Sequence, residues 1–251
     1  MKIILSRKGF DSGSGGIASP ILPDGTLLSL PIPDKKGNRK YNELRYDDIT
    51  YYDIINQLRK RCKNRFEHIN CHLDPDIREN ICYMPNKWKS AFGQFNGALK
   101  HLINQNVKKG DMFLFYGWFK KTEYGDDGKL QYITNAPNLH VIYGFLQIGR
   151  MITDKEEIKK YNWHPHANMV TNNNCLFVAN DRLSWNENKK GYGTFLYNKQ
   201  LALTKEGTRN RSEWGKLFNM LKNNNLKMSG HRQEYVIDEH PIITEWVQSL
   251  I

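Results

Sequence analysis

Three short stretches of this chain place side chains of catalytic or ligand-binding type at close spacing. In the first, Ser6, Arg7, Lys8 and Gly9 leave an apolar run and lead into Asp11, Gly13, Gly15 and Gly16. A hydroxyl, a guanidinium and an ammonium follow one another, and the glycines let backbone N–H groups approach an anion without a Cβ in the way. The spacing matches neither G-x-G-x-x-G nor G-x-x-x-x-G-K-[ST]. The stretch therefore reads either as an anion cradle of another kind or as a surface turn.

The second stretch is His72-Leu73-Asp74-Pro75-Asp76. Pro75 separates two carboxylates and biases Asp74 toward extended geometry. Such groups bind a divalent metal, act as general acid and base, or accept hydrogen bonds from a base edge; Asp-Pro-Asp is also a turn composition. The third is His164-Pro165-His166. Imidazoles two residues apart share one side of an extended segment, as metal ligands or proton carriers, and a metal would need a further ligand such as Asp11 or Asp74. A packed His-Pro turn is the plainer alternative. Gln94, His101 and Gln147 are polar residues inside apolar elements, and a buried amide needs a partner from the protein or from a ligand.

The elements that must carry these groups are legible in outline. An apolar run at 2–6 predicts a buried strand, and Thr26 to Ile32 a second one closed by Pro33-Asp34. Thr50 and Asp53 have capping-box spacing before a helix whose apolar face holds Tyr51, Ile55, Leu58 and Cys62. Cations at its far end (Arg59, Lys60, Arg61, Lys63) suit the helix dipole. The residues from 87 to 106 show a broad helical apolar face, interrupted by Gly93 and Gly97. Strands are predicted at 112–119, 139–149, 175–179 and 200–204, and helices near 212–222 and 240–250, with Pro241 at the start of the last. The aromatics of 112–119 and 143–145, interleaved with Lys120 and Lys121, are of a kind that stacks bases. No repeat or linker interrupts the chain, so a single compact α+β domain over 1–251, with a mixed or barrel-like sheet packed by several helices, is the expected architecture.

Thirty-seven Lys and Arg against 26 Asp and Glu give a formal charge of +11, which favours anionic partners: a nucleotide or a nucleic acid. No apolar run is long enough to span a membrane, and Ile3 to Leu5 is too short for a secretory signal, so no membrane partner and a cytoplasmic location are expected. The four cysteines form no CxxC pair and read as reduced thiols. The sequence assigns no cofactor and no metal.

Taken in order, "SRKGFDSGSGGIASPILPDGTLLSLPIPD", "HLDPDI", "FGQFNGALKHLINQNVKKGDMFLFYGWF", "LHVIYGFLQIG" and "HPH" resemble the third of the nucleotide modification associated domain families of bacteria and bacteriophages. The resemblance runs from Met1 to about Thr204 and covers Ser6, Arg7, Lys8, Gly9, Asp11, Asp74, Asp76, Gln94, Gln147, His164 and His166. It implies a protein directed at nucleotides or nucleic-acid bases, expected to be a modifying enzyme. In that reading Ser6, Arg7, Lys8, Gly9, Gln94 and Gln147 bind substrate, while Asp11, Asp74, Asp76, His164 and His166 do catalysis. The competing reading is a non-catalytic binder of modified bases, or of a small nucleotide signal that it sequesters. A weaker similarity, to small RNA-binding barrels of the pseudouridine-synthase-associated type, touches only the 108–149 segment.

Overall fold

The computed structural model describes residues 1–251 apart from 38, 60–65 and 170. Cys62, Lys60, Arg61 and Lys63 thus lie outside the described residues. The backbone of the fold is a mixed sheet curled into a half-barrel. Its neighbours run in the order Met228–His231, Glu234–Ile237, Ile3–Arg7, Met112–Tyr124, Leu139–Ile152, Asn174–Ala179 and Ala91–Phe95. Only the pair formed by Ile3–Arg7 and Met112–Tyr124 is parallel along this path. Ile3, Ile4 and Leu5 are buried on both faces, as a short apolar run in a sheet interior must be. Breaks of register between Ile142 and Gly144 and between Ile148 and Arg150 lie on the long central strand, where irregularities of this kind add twist.

Aromatic residues anchor the core on this sheet, Phe92 and Phe113 packing against one another and each against Phe115 and Phe177. A second apolar cluster gathers Phe10, Leu28, Leu30, Tyr41 and the helix Tyr51–Leu58 beneath the glycine-rich loop. Thr50 caps that helix by accepting from the Asp53 amide at 3.1 Å, as its spacing predicts. The last helix, Pro241–Leu250, carries Pro241 in its first turn and His240 as its cap. The described cysteines Cys71, Cys82 and Cys175 are free thiols. Among the described residues no helix is long and apolar enough to cross a membrane.

Three elements differ from the periodicity. The stretch 87–106 is not one helix: Ala91–Phe95 is a strand and only Asn96–Asn104 is helical, the switch falling at Asn96 with φ +50°. Ala91, Phe92, Gly93 and Gln94 are all buried, so tertiary pairing with Asn174–Ala179 overrides a pattern that suited a helix equally well. Within 26–32, only Ile32 joins a regular strand, which continues to Pro33, while Thr26 and Leu27 form isolated bridges. The 200–204 segment is a short 3-10 turn, Lys199–Leu201, followed by single bridges from Ala202 and Thr204.

His140 is the buried imidazole of the central strand, and its Nδ1 accepts from Trp214 Nε1 at 3.1 Å. Burial, with the Arg211 and Arg7 charges adding to it, pushes its pKa from 6.5 down to about 4. The unfolded chain therefore takes up this proton first as pH falls. Stability from this group is complete above pH 6.5 and is lost progressively toward pH 4, by on the order of 3 kcal/mol at most. Urea unfolding across that window should show a shallower pH dependence in His140→Gln than in the native chain. An identical slope in both would contradict the assignment.

Candidate active site

The curl of the sheet brings its two far ends together. Gln94, on the terminal strand Ala91–Phe95, donates from Nε2 to Glu234 Oε1 at 2.7 Å, although the two strands stand at opposite parts of the sheet order. The same Glu234 oxygen accepts from Ser6 Oγ at 3.1 Å and from Lys8 Nζ at 3.3 Å. Register explains the first of these, since Ser6 and Glu234 are direct partners across Ile3–Arg7 and Glu234–Ile237. Glu234 is buried, and a buried carboxylate persists only when donors and an opposite charge surround it. Lys8 supplies the charge and lies over the Phe92 ring, 4.6 Å from its centroid.

At this seam opens a cleft of about 270 Å³, whose walls include Arg7, Lys8, Asp74, Gln94, His166 and Glu234. The Asp74-to-Asp76 segment runs along the free edge of Ala91–Phe95, with Asp76 and Ala91 exchanging backbone hydrogen bonds. Residues two apart share a face of a regular strand, but the Asp74–Pro75 peptide is cis and the two carboxylates diverge. Asp74 Oδ1 accepts from the Gly93 amide at 2.8 Å and Oδ2 faces the cleft. Asp76 is aimed away from the cleft and accepts from Trp88 Nε1 at 2.7 Å. Its second oxygen is buried without a partner, and burial raises its pKa to about 6.

Three imidazoles surround Asp74. His164 Nε2 lies 3.2 Å from Oδ1, off the line of a hydrogen bond, while its Nδ1 accepts from the His166 amide. His72 Nε2 and His166 Nε2 each stand 3.8 Å from Oδ2. Burial alone would raise the Asp74 carboxyl, but the three imidazoles outweigh it and hold the group below the usual carboxylate range. Burial lowers His72 and takes His166 down to about 4. At neutral pH the cluster is therefore an ionised carboxylate among rings of which His72 and His166 are neutral bases.

Gly93 is what lets the His166 ring sit here: a Cβ at residue 93 would stand 2.2 Å from His166 Cγ. The ring is fixed from behind, because Asn174 Nδ2 donates to the His166 carbonyl at 3.0 Å and Asn174 Oδ1 lies 2.7 Å from His166 Nδ1.

The glycine-rich loop is more self-contained than its composition suggests. Asp11 Oδ1 accepts from the amides of Gly13 and Ser14, and the Asp11 and Gly16 amides bond within the loop. These donors are spent on loop shape. Gly9, with φ +81°, is pressed against Ser29 and admits no side chain. Positive charge at the cleft comes instead from side chains: Arg7, whose Nε is buried without a partner and whose Nη2 stands 3.9 Å from Asp11 Oδ2, and Arg232, which makes no hydrogen bond or ion pair among the described residues.

Of the residues marked by sequence, Arg7, Lys8, Gly9, Asp11, Asp74, Gln94 and His166 line the cleft. Ser6 and His164 stand directly behind it, through Glu234 and Asp74. Gln147 does not join them. Its amide is spent inside the protein, on Gly110 O, Ser184 Oγ and the Ser184 amide. Glu234, Arg232, Asn174 and Asp34 belong to the site and carried no motif. The sole signal for Glu234 is a carboxylate within the short, otherwise β-prone run Glu234–Ile237.

The α+β half-barrel thus closes its seam over an ionised carboxylate, neutral imidazoles and the side chains of Arg7, Lys8 and Arg232. The chain belongs to the family described as Nucleotide modification associated domain 3, whose family model matches residues 2–248. The match extends past Thr204 and takes in the C-terminal hairpin that supplies Arg232 and Glu234. No curated protein and no solved structure matches the chain. Family membership points to a role in nucleotide modification.

Proposed function

We propose that this protein is an enzyme that binds a nucleotide, or a nucleotide unit of a nucleic acid, in the seam cleft and modifies its base. The observation that supports this reading most is convergence. Arg7 and Lys8, Asp74, Gln94 and His166 come from separate stretches of the chain and line the same cleft. Arg7 and Arg232 are placed to neutralise phosphate, since a guanidinium pairs its forked donors with phosphate oxygens. Phe95, exposed at the cleft and packed edge-on to His166, offers a ring face on which a base stacks. Asp74 and the neutral His166 Nε2 are the proton-handling pair, with His164 behind Asp74 as its positioning residue.

The test is incubation with a panel of ribo- and deoxyribonucleotides and with single- and double-stranded DNA, followed by mass spectrometry of the recovered bases. A shifted base mass supports the enzyme. A nucleotide that binds and returns unchanged favours the sequestering protein instead. Arg7→Ala should weaken nucleotide binding about ten- to hundredfold, the share of a charge-assisted phosphate contact. Affinity that falls steeply with added salt identifies nucleic acid as the ligand, and a shallow dependence identifies a free nucleotide.

A further inference from the structure

We infer that His72, Asp74 and His166 form a binding site for one divalent first-row transition-metal ion at the floor of the cleft. One ligand atom from each of these residues lies within 4.8 Å of the others. Proximity alone would be weak support. The hydrogen bonds behind the rings make the case.

Asn174 Nδ2 donates to the His166 carbonyl, so the amide oxygen is the end that faces His166 Nδ1 and must accept from it. The proton of His166 therefore sits on Nδ1, and Nε2 keeps its lone pair toward Asp74. His72 repeats the arrangement, with Nδ1 donating to Asp34 Oδ2 at 3.1 Å and Nε2 bare. Two imidazoles, each pinned in the tautomer a metal requires by a partner on the far nitrogen, form the outer support typical of histidine metal ligands. In the neutral tautomer that these partners set, both Nε2 lone pairs face Asp74 Oδ2. Without a cation, two lone pairs and an anion point at one another, and that arrangement is repulsive.

The remaining neighbours fit. His164 is fully buried and its Nδ1 is already an acceptor, so its proton is on Nε2, facing Asp74 Oδ1. It stands 3.2 Å from the carboxylate oxygen remote from the proposed ion. The Gly93 amide holds the same oxygen, leaving Oδ2 for the ion. The ligand atoms stand 3.8 Å from Oδ2 to each nitrogen and all within 4.8 Å of one another, wider than the roughly 3.0–3.4 Å edge set by metal–ligand bonds near 2.0–2.2 Å, so loading requires the side chains to draw in. Two nitrogens and one oxygen select zinc, iron, cobalt, nickel or manganese over magnesium and calcium, which demand oxygen ligands. Three protein ligands beside an open cleft leave a coordination position for water or a substrate oxygen, as in metal sites that do chemistry.

In the metal-loaded protein Asp74 Oδ2 and His166 Nε2 hold the ion instead of acting as the proton-handling pair. The inference revises that one assignment of the proposed function and not the nucleotide binding, and its test reads the metal alone. Chelator-stripped protein is titrated with Co²⁺, with visible ligand-field absorption as the signal. One equivalent is expected to bind with bands of an N/O site, and excess Mg²⁺ should not displace it. His72→Ala and Asp74→Ala should each weaken binding at least hundredfold. Asp34→Asn, a change to a partly exposed side chain, should weaken it about ten- to hundredfold by loosening His72. Should the alanine variants fail to fold, Asp34→Asn decides. Unchanged Co²⁺ affinity in the folded variants, or no specific Co²⁺ binding to the native chain, overturns the inference. Nucleotide binding by metal-free protein would then still leave the proposed function intact.

Discussion

Asp74→Asn is expected to fold normally, bind nucleotide within a few-fold of the native chain, and lose turnover by roughly 10²- to 10⁴-fold, the usual share of a positioned proton-transfer group. The fold survives because the asparagine keeps an oxygen for the Gly93 amide, whose bond to Asp74 Oδ1 ties the 74–76 segment to the strand edge. Affinity survives because the proposed phosphate contacts come from Arg7 and Arg232, which the substitution leaves in place. Turnover fails because the site loses its ionised carboxylate. Steady-state rates by product mass, beside far-UV circular dichroism and nucleotide titration, separate the three quantities. Native turnover in this variant would remove Asp74 from the mechanism. Asp76→Asn is the matched control: that side chain points to Trp88, away from the cleft, and its effect should fall on stability rather than on rate.

Gly93→Ala should do comparable damage through one methyl group. The added Cβ would meet His166 Cγ at 2.2 Å, Cδ2 at 2.3 Å and Nδ1 at 2.5 Å. Neither partner gives way cheaply. Asn174 grips His166 at both its ring and its carbonyl, and Gly93 is paired with Leu176 in the sheet. Overpacking of this kind costs about 1–3 kcal/mol. For a chain of this length that corresponds to a Tm lower by very roughly 2–10 °C. Activity should fall at least hundredfold, because a displaced His166 carries its Nε2 out of the cluster. Gly97→Ala provides the contrast. Its Cβ would find only His231 Nε2 at 3.4 Å and the Arg232 guanidinium at 3.8 Å, and alanine is the better helix former. That variant should be neutral or slightly stabilised by thermal melting. Equal losses in both variants would mean that Gly93 matters through the backbone and not through His166.

The parts of this site visible in the sequence are those whose chemistry is packed into a few consecutive residues. Arg7 and Lys8 follow a strand, Asp74 precedes a proline, and His164 and His166 flank another, so residue type and spacing suffice to mark them. What spacing cannot supply is direction. Asp74 and Asp76 look equivalent in sequence, and positions two apart in a regular strand would share a face, yet one faces the cleft and the other Trp88. Gln94 and Gln147 look equally displaced in apolar surroundings. Gln94 reaches the seam, whereas Gln147 satisfies Gly110 and Ser184. Glu234 was out of reach for another reason: its place depends on a strand pairing that spans 228 residues from Ser6. The 91–95 strand was hidden because full burial on both faces erases the period that separates strand from helix. The loop glycines pointed to backbone amides, but Asp11 had already engaged several of them.

In the proposed binding mode nucleotide lies at the seam, with phosphate on the Arg7 side and the base toward Asp74. A larger groove of about 700 Å³, bordered by Lys121, Lys199, Lys205, Lys216 and Trp214, is the rival location on a basic protein. The most direct measurement is a crystal structure of Asp74→Asn, trapped with whichever nucleotide the panel identifies. Phosphate density is expected within hydrogen-bonding distance of Arg7 or Arg232, with a base ring against Phe95, facing residue 74. Nucleotide density in the lysine-lined groove, with the seam cleft holding only water, would contradict it.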